Sequence, residues 1–181
     1  MRVLLDVDGV VADFLQHTIS HVGEFAPEGG IESVTSWEIL NHFPLPGRAL
    51  AQKSWVEKGF CAGIPLYPGS LEGVSTVAKK AEIVWVTAPM QDSPYWGHER
   101  TLWLKRHFGA PHESVVLAHN KAHVWGDFLV DDRIENILSW CEAHPRGVGL
   151  LWDRPYNRHW NPGGVRFQRV SSWEQVLKSL E

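Results

Sequence analysis

Residues 2–14 read RVLLDVDGVVADF, and this stretch decides the fold. The three residues after Arg2 are apolar and run up to Asp6, which predicts a buried strand. Asp6 and Asp8 then place two carboxylates at the end of that strand, where burial without a compensating charge is unfavourable. Gly9 predicts a turn, and the residues after it have the periodicity of a helix. The stretch therefore predicts a strand, a turn and a helix with a site for a cation or a substrate at the end of the strand.

The composition is that of a globular chain. With 181 residues, 44% hydrophobic and 21% charged, one domain with a small insertion is expected. The net charge of -4 and the lack of a basic patch argue against a nucleic-acid polymer as partner. No segment approaches the ~20 apolar residues of a membrane span, and the early aspartates rule out a signal peptide. Cys61 and Cys141 show no metal or redox spacing, so we expect two thiols in a reducing, cytoplasmic setting.

Strands and helices alternate along most of the chain. Further strands are predicted at 82–89, 114–118, 126–132 and 147–153, and further helices at 70–81, 95–109, 133–144 and 171–180. Gly109 is placed to end one helix, and Ser171 or Ser172 to begin the last. This alternation predicts an α/β fold: a three-layer α/β/α, Rossmann-like parallel sheet covered on both faces.

The stretch from 28 to 66 breaks this alternation. Its turn signals PEGG, PLPG and GIPLYPG surround helical pieces around SWEILNHF (36–43) and RALAQKSWVEKGF (48–60). We predict a small helical cap over residues 28–66, inserted after the first strand and helix. Residues 1–27 and 67–181 then form the core domain.

Four predicted strands end in, or are closely followed by, polar chemistry. The residues concerned are Asp6, Asp8, Thr87, Lys121, Asp131 and Asp132. Because the carboxyl ends of parallel strands meet at one edge of the sheet, these side chains are expected to converge. Four acids at one point need a cation, and all-oxygen donors favour Mg²⁺. A metal with a lysine and a hydroxyl suits the oxygens of a phosphoryl group in transfer.

These motifs, in this order, resemble those of the haloacid dehalogenase superfamily of aspartate-nucleophile phosphatases. The matching residues are the DxDG of Asp6 to Gly9, then Thr87, Lys121 and the Asp131–Asp132 pair. The resemblance narrows to the 5'(3')-deoxyribonucleotidases. DVDGVVADF, GFCAGIPLYPGSLEGV, VTAP, HNKAHVWGDFLVDDR and RVSSWEQVL follow that family's pattern, which covers nearly the whole chain.

The resemblance implies catalytic roles for four residues. Asp6 is the nucleophile that forms an aspartyl-phosphate. Asp8 protonates the leaving ribose oxygen and then takes a proton from the attacking water. Thr87 and Lys121 hold the phosphoryl oxygens.

The resemblance also implies a magnesium site. Its ligands are Asp6, the main-chain carbonyl of Asp8, and Asp131 and Asp132. One of the last two is expected to ligate Mg²⁺ directly and the other through water, and the sequence does not choose between them.

Four residues are expected to bind the substrate: Phe14, Ala88, Trp96 and His119. Phe14 matches a member of the family's aromatic slot for the base, and Trp96 follows the Thr87 turn. Ala88 stands where the family usually has serine, and His119 where it often has arginine. Both departures predict weaker phosphate clamping or a different substrate shape. The aromatic residues of the cap segment either line the slot or pack between cap and core: Trp37, Phe43, Trp55 and Phe60.

The sequence thus predicts a Mg²⁺-dependent phosphomonoesterase acting on deoxyribonucleoside 5'-monophosphates, with 3'-monophosphates and a homodimer left open. The alternative enzyme is a phosphatase of the same superfamily for another small phosphorylated metabolite. A phospho-accepting signalling receiver is disfavoured because DxDG opens the chain and the aspartate pair comes late. A silent nucleotide-binding protein is disfavoured because it would have no need of a nucleophile.

Overall fold

A computed structural model describes residues 1–160 and 167–181. It contains a six-stranded sheet in which neighbouring strands are parallel, in the order β3-β2-β1-β4-β5-β6. The strands are β1 (Arg2–Leu5), β2 (Glu82–Thr87), β3 (Val115–Leu117), β4 (Phe128–Asp131), β5 (Val148–Trp152) and β6 (Phe167–Val170). The apolar β1 lies in the middle, with Leu5 paired to Trp85 on one side and Val130 on the other. The strand order reverses around β1, and in such sheets ligands bind beside that point.

Helices cover both faces of the sheet. They are α1 (Phe14–Val22), α2 (Leu45–Val56), α3 (Phe60–Gly63), α4 (Ser70–Ala78), α5 (Trp96–Phe108), α6 (Ile134–Ala143) and α7 (Trp173–Ser179). Successive side chains of β1 point to opposite faces. Val3 and Leu5 join one core with α4, α5 and α7, whereas Leu4 joins the other with α6. The predicted three-layer α/β/α fold is confirmed.

The predicted helix ends agree with the structure. Asp13 precedes α1, and its side chain accepts a hydrogen bond from the Gln16 amide at 3.2 Å. Gly109 ends α5 with a left-handed φ of 63°. Of the two candidate serines, Ser172 caps α7 by accepting from the Gln175 amide at 3.3 Å.

Three local predictions differ from the structure. The piece at 36–43 forms only one 3-10 turn, Ile39–His42, instead of a helix. The helix predicted at 48–60 begins earlier, at Leu45, and ends at Val56, because Gly59 turns the chain with a φ of 93° before α3. Strand β6 was not predicted, since FQRV is short and half polar, a composition that an edge strand tolerates.

The segment 28–66 packs on α1 through a core of its own. Leu15 and Val22 of α1 are buried there against Val34, Phe43 and Ala51. The boundaries of the predicted cap stay a prediction. Within residues 1–160 and 167–181, no helix combines the length and apolar character that a membrane crossing needs.

Candidate active site

The predicted polar residues meet at the carboxyl edge of the sheet. Asp6 follows β1 directly, Thr87 ends β2, and Asp131 ends β4. Lys121 begins a 3-10 turn between β3 and β4. All four are buried. The parallel strands thus bring together residues that are far apart in the sequence.

Lys121 is held between two carboxylates. Its ammonium nitrogen lies 2.7 Å from Asp6 Oδ1 and 2.6 Å from Asp131 Oδ2. Burial lowers the pKa of Lys121, but Asp131 and Asp6 raise it more, so that it lies above the usual range. Burial raises the pKa of Asp6, a shift that Lys121 opposes. Lys121 therefore remains a cation and partly offsets the effect of burial on the pKa of Asp6.

Three buried aspartates form an acidic triad, which we define as Asp6, Asp131 and Asp132. One carboxylate oxygen from each lies within 4.8 Å of those of the other two. When all three aspartates are ionised, their three negative charges exceed the single positive charge of Lys121 by two. A divalent cation would balance that excess, and an all-oxygen donor set suits Mg²⁺.

The two consecutive aspartates at the end of β4, Asp131 and Asp132, have different hydrogen-bond partners. Asp131 accepts from the Arg133 amide at 2.8 Å, from Asn136 Nδ2 at 3.1 Å and from Lys121, so both its oxygens are engaged. Asp132 accepts from the Tyr156 hydroxyl on Oδ2. Its buried Oδ1 has no hydrogen-bond partner among the residues that the structure describes. Burial first, and then Asp131, raise the pKa of Asp132 to about 7.

The DxDG glycine is required by the aspartate opposite it. Gly9 has a φ of +77°, and a Cβ there would overlap the Asp132 side chain and lie 2.7 Å from the Tyr156 hydroxyl. Two residues from the segment after β5 hold the turn at Gly9 and the backbone at Asp132. Arg154 Nε donates to the Gly9 carbonyl at 2.6 Å, and Asn157 Nδ2 donates to the Asp132 carbonyl at 2.7 Å.

The Asp8 side chain is not part of the acidic triad. Its two oxygens accept hydrogen bonds from Arg100 Nη2 at 2.6 and 2.7 Å. Burial raises the pKa of Asp8, and the Arg100 guanidinium opposes that shift. The expected metal contact of Asp8, through its main-chain carbonyl, stays a prediction.

The predicted catalytic and substrate residues line one cavity of about 420 Å³, which we call the phosphoryl cavity. Those eight residues are Asp6, Asp8, Phe14, Thr87, Ala88, Trp96, His119 and Lys121. Ala88 and His119 are exposed, whereas Thr87 and Trp96 are buried. A second cavity of about 540 Å³, the aromatic cavity, also contains Asp8 and Phe14 in its lining.

The aromatic residues of segment 28–66 divide into two groups. Trp37 and Trp55 line the aromatic cavity, beside Phe14 and Met90. Two others are buried in hydrophobic cores: Phe43 and Phe60. The Phe14 ring links the groups, with ring centroids 5.3 Å from Trp55, 6.1 Å from Phe60 and 6.0 Å from Trp96.

Sequence reasoning missed four residues of the site: Arg100, Asn136, Arg154 and Tyr156. Only Arg100 carried a usable signal. It shares the helical spacing of Trp96, Trp103 and Leu104, so an arginine falls on the buried face of α5. Asn136 follows Asp131 closely in the sequence, at the start of α6, but an asparagine there is an ordinary helix residue. Tertiary structure alone brings Tyr156 to Asp132 and Arg154 to the Gly9 carbonyl.

Comparison with known proteins agrees with this geometry. Residues 1–180 match a family model described as 5' nucleotidase, deoxy (pyrimidine), cytosolic type C protein. The chain belongs to this deoxyribonucleotidase family. Deoxyribonucleotidases are phosphoric monoester hydrolases, and the chain is therefore a hydrolase of this class.

Individual relatives span nearly the whole chain. A mitochondrial 5'(3')-deoxyribonucleotidase of Mus musculus is 26% identical over 99% of this chain and 84% of its own length. A 5'(3')-deoxyribonucleotidase of Bacillus subtilis is 26% identical over 98% of this chain and 97% of its own. A human relative is named as the cytosolic type and is 25% identical over 99% of this chain and 94% of its own. Because these deoxyribonucleotidases bear different locations in their names, the cytoplasmic setting stays a prediction.

Solved structures support the fold. A haloacid dehalogenase superfamily hydrolase of Geobacter sulfurreducens superposes with a TM-score of 0.58 at 13% identity, covering 99% of this chain and 96% of that one. A haloacid dehalogenase-like hydrolase of Xanthomonas campestris gives a TM-score of 0.56 at 12% identity, covering 99% and 91%. The deoxyribonucleotidase chain thus shares its architecture with the wider superfamily.

Proposed function

We propose that this protein is a Mg²⁺-dependent phosphomonoesterase that hydrolyses deoxyribonucleoside monophosphates through an aspartyl-phosphate on Asp6. One observation carries the proposal. Asp6 lies beside the Lys121 cation and within the acidic triad, and it lines a cavity that adjoins an aromatic one. A carboxylate nucleophile needs both a cation to reduce its repulsion from phosphate and room for the ester.

The reaction proceeds in two balanced displacements. An oxygen of Asp6 attacks phosphorus, the new O–P bond forms, and the ester O–P bond breaks. Asp8 gives its proton to the leaving sugar oxygen, so the alcohol departs neutral. Asp8 then takes a proton from water as that water attacks the aspartyl-phosphate, and inorganic phosphate leaves with Asp6 regenerated.

Two further groups would stabilise the phosphoryl oxygens. Lys121 is fixed by its ion pairs with the aspartates on either side. Thr87 Oγ1 is buried and has no hydrogen-bond partner within the described part of the chain, so its hydroxyl is available to a substrate oxygen. Donors that are already in place need no rearrangement when charge develops on the phosphoryl group.

The metal would be held by Asp6, by Asp132 Oδ1 and by the main-chain carbonyl of Asp8. The unpartnered Oδ1 atom favours Asp132 as the direct ligand, since both oxygens of Asp131 already accept hydrogen bonds. When bound, Mg²⁺ supplies positive charge that offsets the developing charge on the phosphoryl oxygens. The side chain of Asp131 would then act mainly by orienting Lys121.

The cavities support a substrate that carries a base, and the family supports the preference for deoxyribose. Phe14 lines both cavities, and Trp37 and Trp55 give the second one an aromatic wall that suits a base. The relatives of Mus musculus and Bacillus subtilis are named as 5'(3')-deoxyribonucleotidases. We further propose that the predicted cap, residues 28–66, contributes this wall, and that Trp96, Ala88 and His119 contact the substrate.

A panel of phosphate esters tests the proposal. Phosphate release would be measured with Mg²⁺ or EDTA on deoxy- and ribonucleoside 5'- and 3'-monophosphates and on sugar phosphates. We expect preference for deoxynucleotides, dependence on Mg²⁺, and loss of release in Asp6→Asn. The matched control is Asp92→Asn, because Asp92 is an exposed acid that lines neither cavity. Release from sugar phosphates alone would favour another phosphorylated metabolite and contradict the nucleotide assignment.

A further inference from the structure

We propose that Arg100 is a positioning residue for the reaction, holding the acid–base carboxylate of Asp8 at the boundary of the two cavities. This inference rests on the proposed role of Asp8 in phosphate ester cleavage. It assigns a task to a residue of α5 that none of the sequence motifs contains.

The contact between the two residues is close and buried. Arg100 is 0% exposed, whereas the Asp8 side chain is 25% exposed. A single guanidinium nitrogen, Nη2, lies within 2.7 Å of both Asp8 oxygens. The carboxylate is thereby restrained from the buried side while the rest of it lines the cavities.

Arg100 has little else to bind. Its Nε and Nη1 atoms have no hydrogen-bond partner in the residues that the structure describes. The guanidinium lies near the rings of Trp96 and Trp103, at 5.4 and 5.3 Å from their centroids. Arginine cannot lose its charge in a protein, and burying a charge is unfavourable unless it is paired. An apolar side chain would fill this place between two tryptophans at lower cost, so packing alone does not explain an arginine here.

Hydrogen bonds from the residues before and after Arg100 fix helix α5 in place. Glu99 accepts hydrogen bonds from the amides of Gly59 and Ala62 at 2.7 and 3.2 Å. Trp103 Nε1 donates to the Ile64 carbonyl at 2.8 Å. Arg100 therefore projects from a backbone that cannot easily shift, which is what a positioning residue requires.

Asp8 acts in both steps, but only its proton donation in the first step depends on the leaving group, and kcat/KM reports that first step because it ends with formation of the aspartyl-phosphate. Proton donation matters for an alkoxide leaving group, as in nucleotides and sugar phosphates. It matters little for p-nitrophenyl phosphate, whose leaving group is stable as an anion. Misplacement of a catalytic group by 1 Å can reduce the rate about 100-fold. The predicted signature is thus a loss that depends on the leaving group.

The test compares Arg100→Met, Arg100→Lys and Leu104→Ala with the unmodified protein. Leu104 is buried on the same helix and lines neither cavity, so its variant reports general destabilisation. For each protein, kcat and KM would be measured with Mg²⁺ on a deoxynucleotide, a sugar phosphate and p-nitrophenyl phosphate. We expect Arg100→Met to lose about 100-fold in kcat/KM on the best alkyl phosphate. The kcat/KM on p-nitrophenyl phosphate should be nearly retained, and Arg100→Lys should recover part of the loss because it keeps the charge.

Equal losses of kcat/KM on both kinds of ester, or losses matching those of Leu104→Ala, would overturn the positioning role. If Arg100→Met does not fold, the same comparison on Arg100→Lys decides, since a weaker but leaving-group-dependent loss is still required. Failure of the proposed function has a different signature. The unmodified protein would then cleave no deoxynucleotide. The comparison of Arg100 variants would still be made on the sugar phosphate, which also has an alkoxide leaving group.

Discussion

At the residue scale, Gly9 shows how one position serves both backbone and site. Ala at this position would adopt an unfavourable φ of +77° and would press its Cβ on Asp132. We expect Gly9→Ala to lower the free energy of unfolding by about 1–2 kcal/mol through backbone strain, and to abolish phosphate release. Gly69→Ala is the matched control, because Gly69 has a φ of +78° with nothing within 4 Å of the added atom. Denaturant unfolding and activity would be measured for both; activity loss in the control as well would contradict the argument.

Tyr156 is the residue that orients Asp132. Its hydroxyl donates to Asp132 Oδ2, which leaves Oδ1 for a cation. Removing a hydrogen-bond partner of a metal ligand typically lowers metal affinity 10–100-fold. We therefore expect Tyr156→Phe to raise the Mg²⁺ concentration for half-maximal activity by about that factor. The exposed Tyr95 supplies the control variant, Tyr95→Phe. A Mg²⁺ dependence that is the same in Tyr156→Phe and the unmodified protein would exclude this role.

Some of these residue-level facts could be read from the sequence and some could not. Asp6, Thr87 and Lys121 could be predicted, because each lies at or just beyond the end of a strand whose position the apolar pattern shows. The different partners of Asp131 and Asp132 could not. They depend on a tyrosine that the fold brings to Asp132 from beyond β5, and local spacing does not report such a contact.

At the element scale, α5 is bonded to the chain just before α4. The Glu99 carboxylate accepts hydrogen bonds from the amides of Gly59 and Ala62 at the start of α3. With four residues, α3 is too short to be stable without such contacts. Leaving two partly buried donors without an acceptor should lower the free energy of unfolding by about 1–3 kcal/mol. We predict that Glu99→Ala also speeds hydrogen exchange at these two amides, whereas Lys105→Ala on the exposed face of α5 leaves it unchanged. Unaltered exchange in Glu99→Ala would disprove the link.

The same helix explains the limits of element prediction. Its C-terminus could be predicted because Gly109 marks it, and the spacing from Trp103 indicates that Arg100 faces inward. The burial of Glu99 has no such signal in the charged sequence of the helix. Strand β6 was missed because Gln168 and Arg169 break the apolar pattern that revealed the other strands. Elements that depend on neighbours for their apolar contacts, as β6 does on β5, carry weaker local signals.

At the scale of the whole molecule, the sheet order concentrates negative charge. Alternating strands and helices predicted a parallel sheet, but not that β1 would lie between β2 and β4. That order places the acidic residues after β1 and β4 side by side. The excess negative charge is a property of the fold rather than of any one motif, and it links the stability of the whole chain to pH and to Mg²⁺.

The metal-free protein should become less stable as the pH rises from about 4 to about 7. Burial raises the pKa of Asp132 to about 7, and it raises the pKa values of Asp6 and Asp8 as well. An aspartate in the unfolded chain has a pKa near 3.9, so the folded state binds more protons within this window. Stability falls with pH wherever the folded state binds more protons than the unfolded one. Thermal unfolding in EDTA across this range should therefore show a decreasing Tm.

Mg²⁺ should reverse this trend, because it binds the ionised carboxylates and replaces the protons. A ligand at 100 times its Kd stabilises the folded state by about 2.7 kcal/mol. We expect the gain in Tm from Mg²⁺ to be small near pH 5 and largest above about pH 7, where Asp132 is ionised. Asp132→Asn should lose most of that gain and should show a weaker fall of Tm with pH in EDTA. A gain from Mg²⁺ that is equal at both pH values, or that persists in Asp132→Asn, would show that the cation binds elsewhere on the protein.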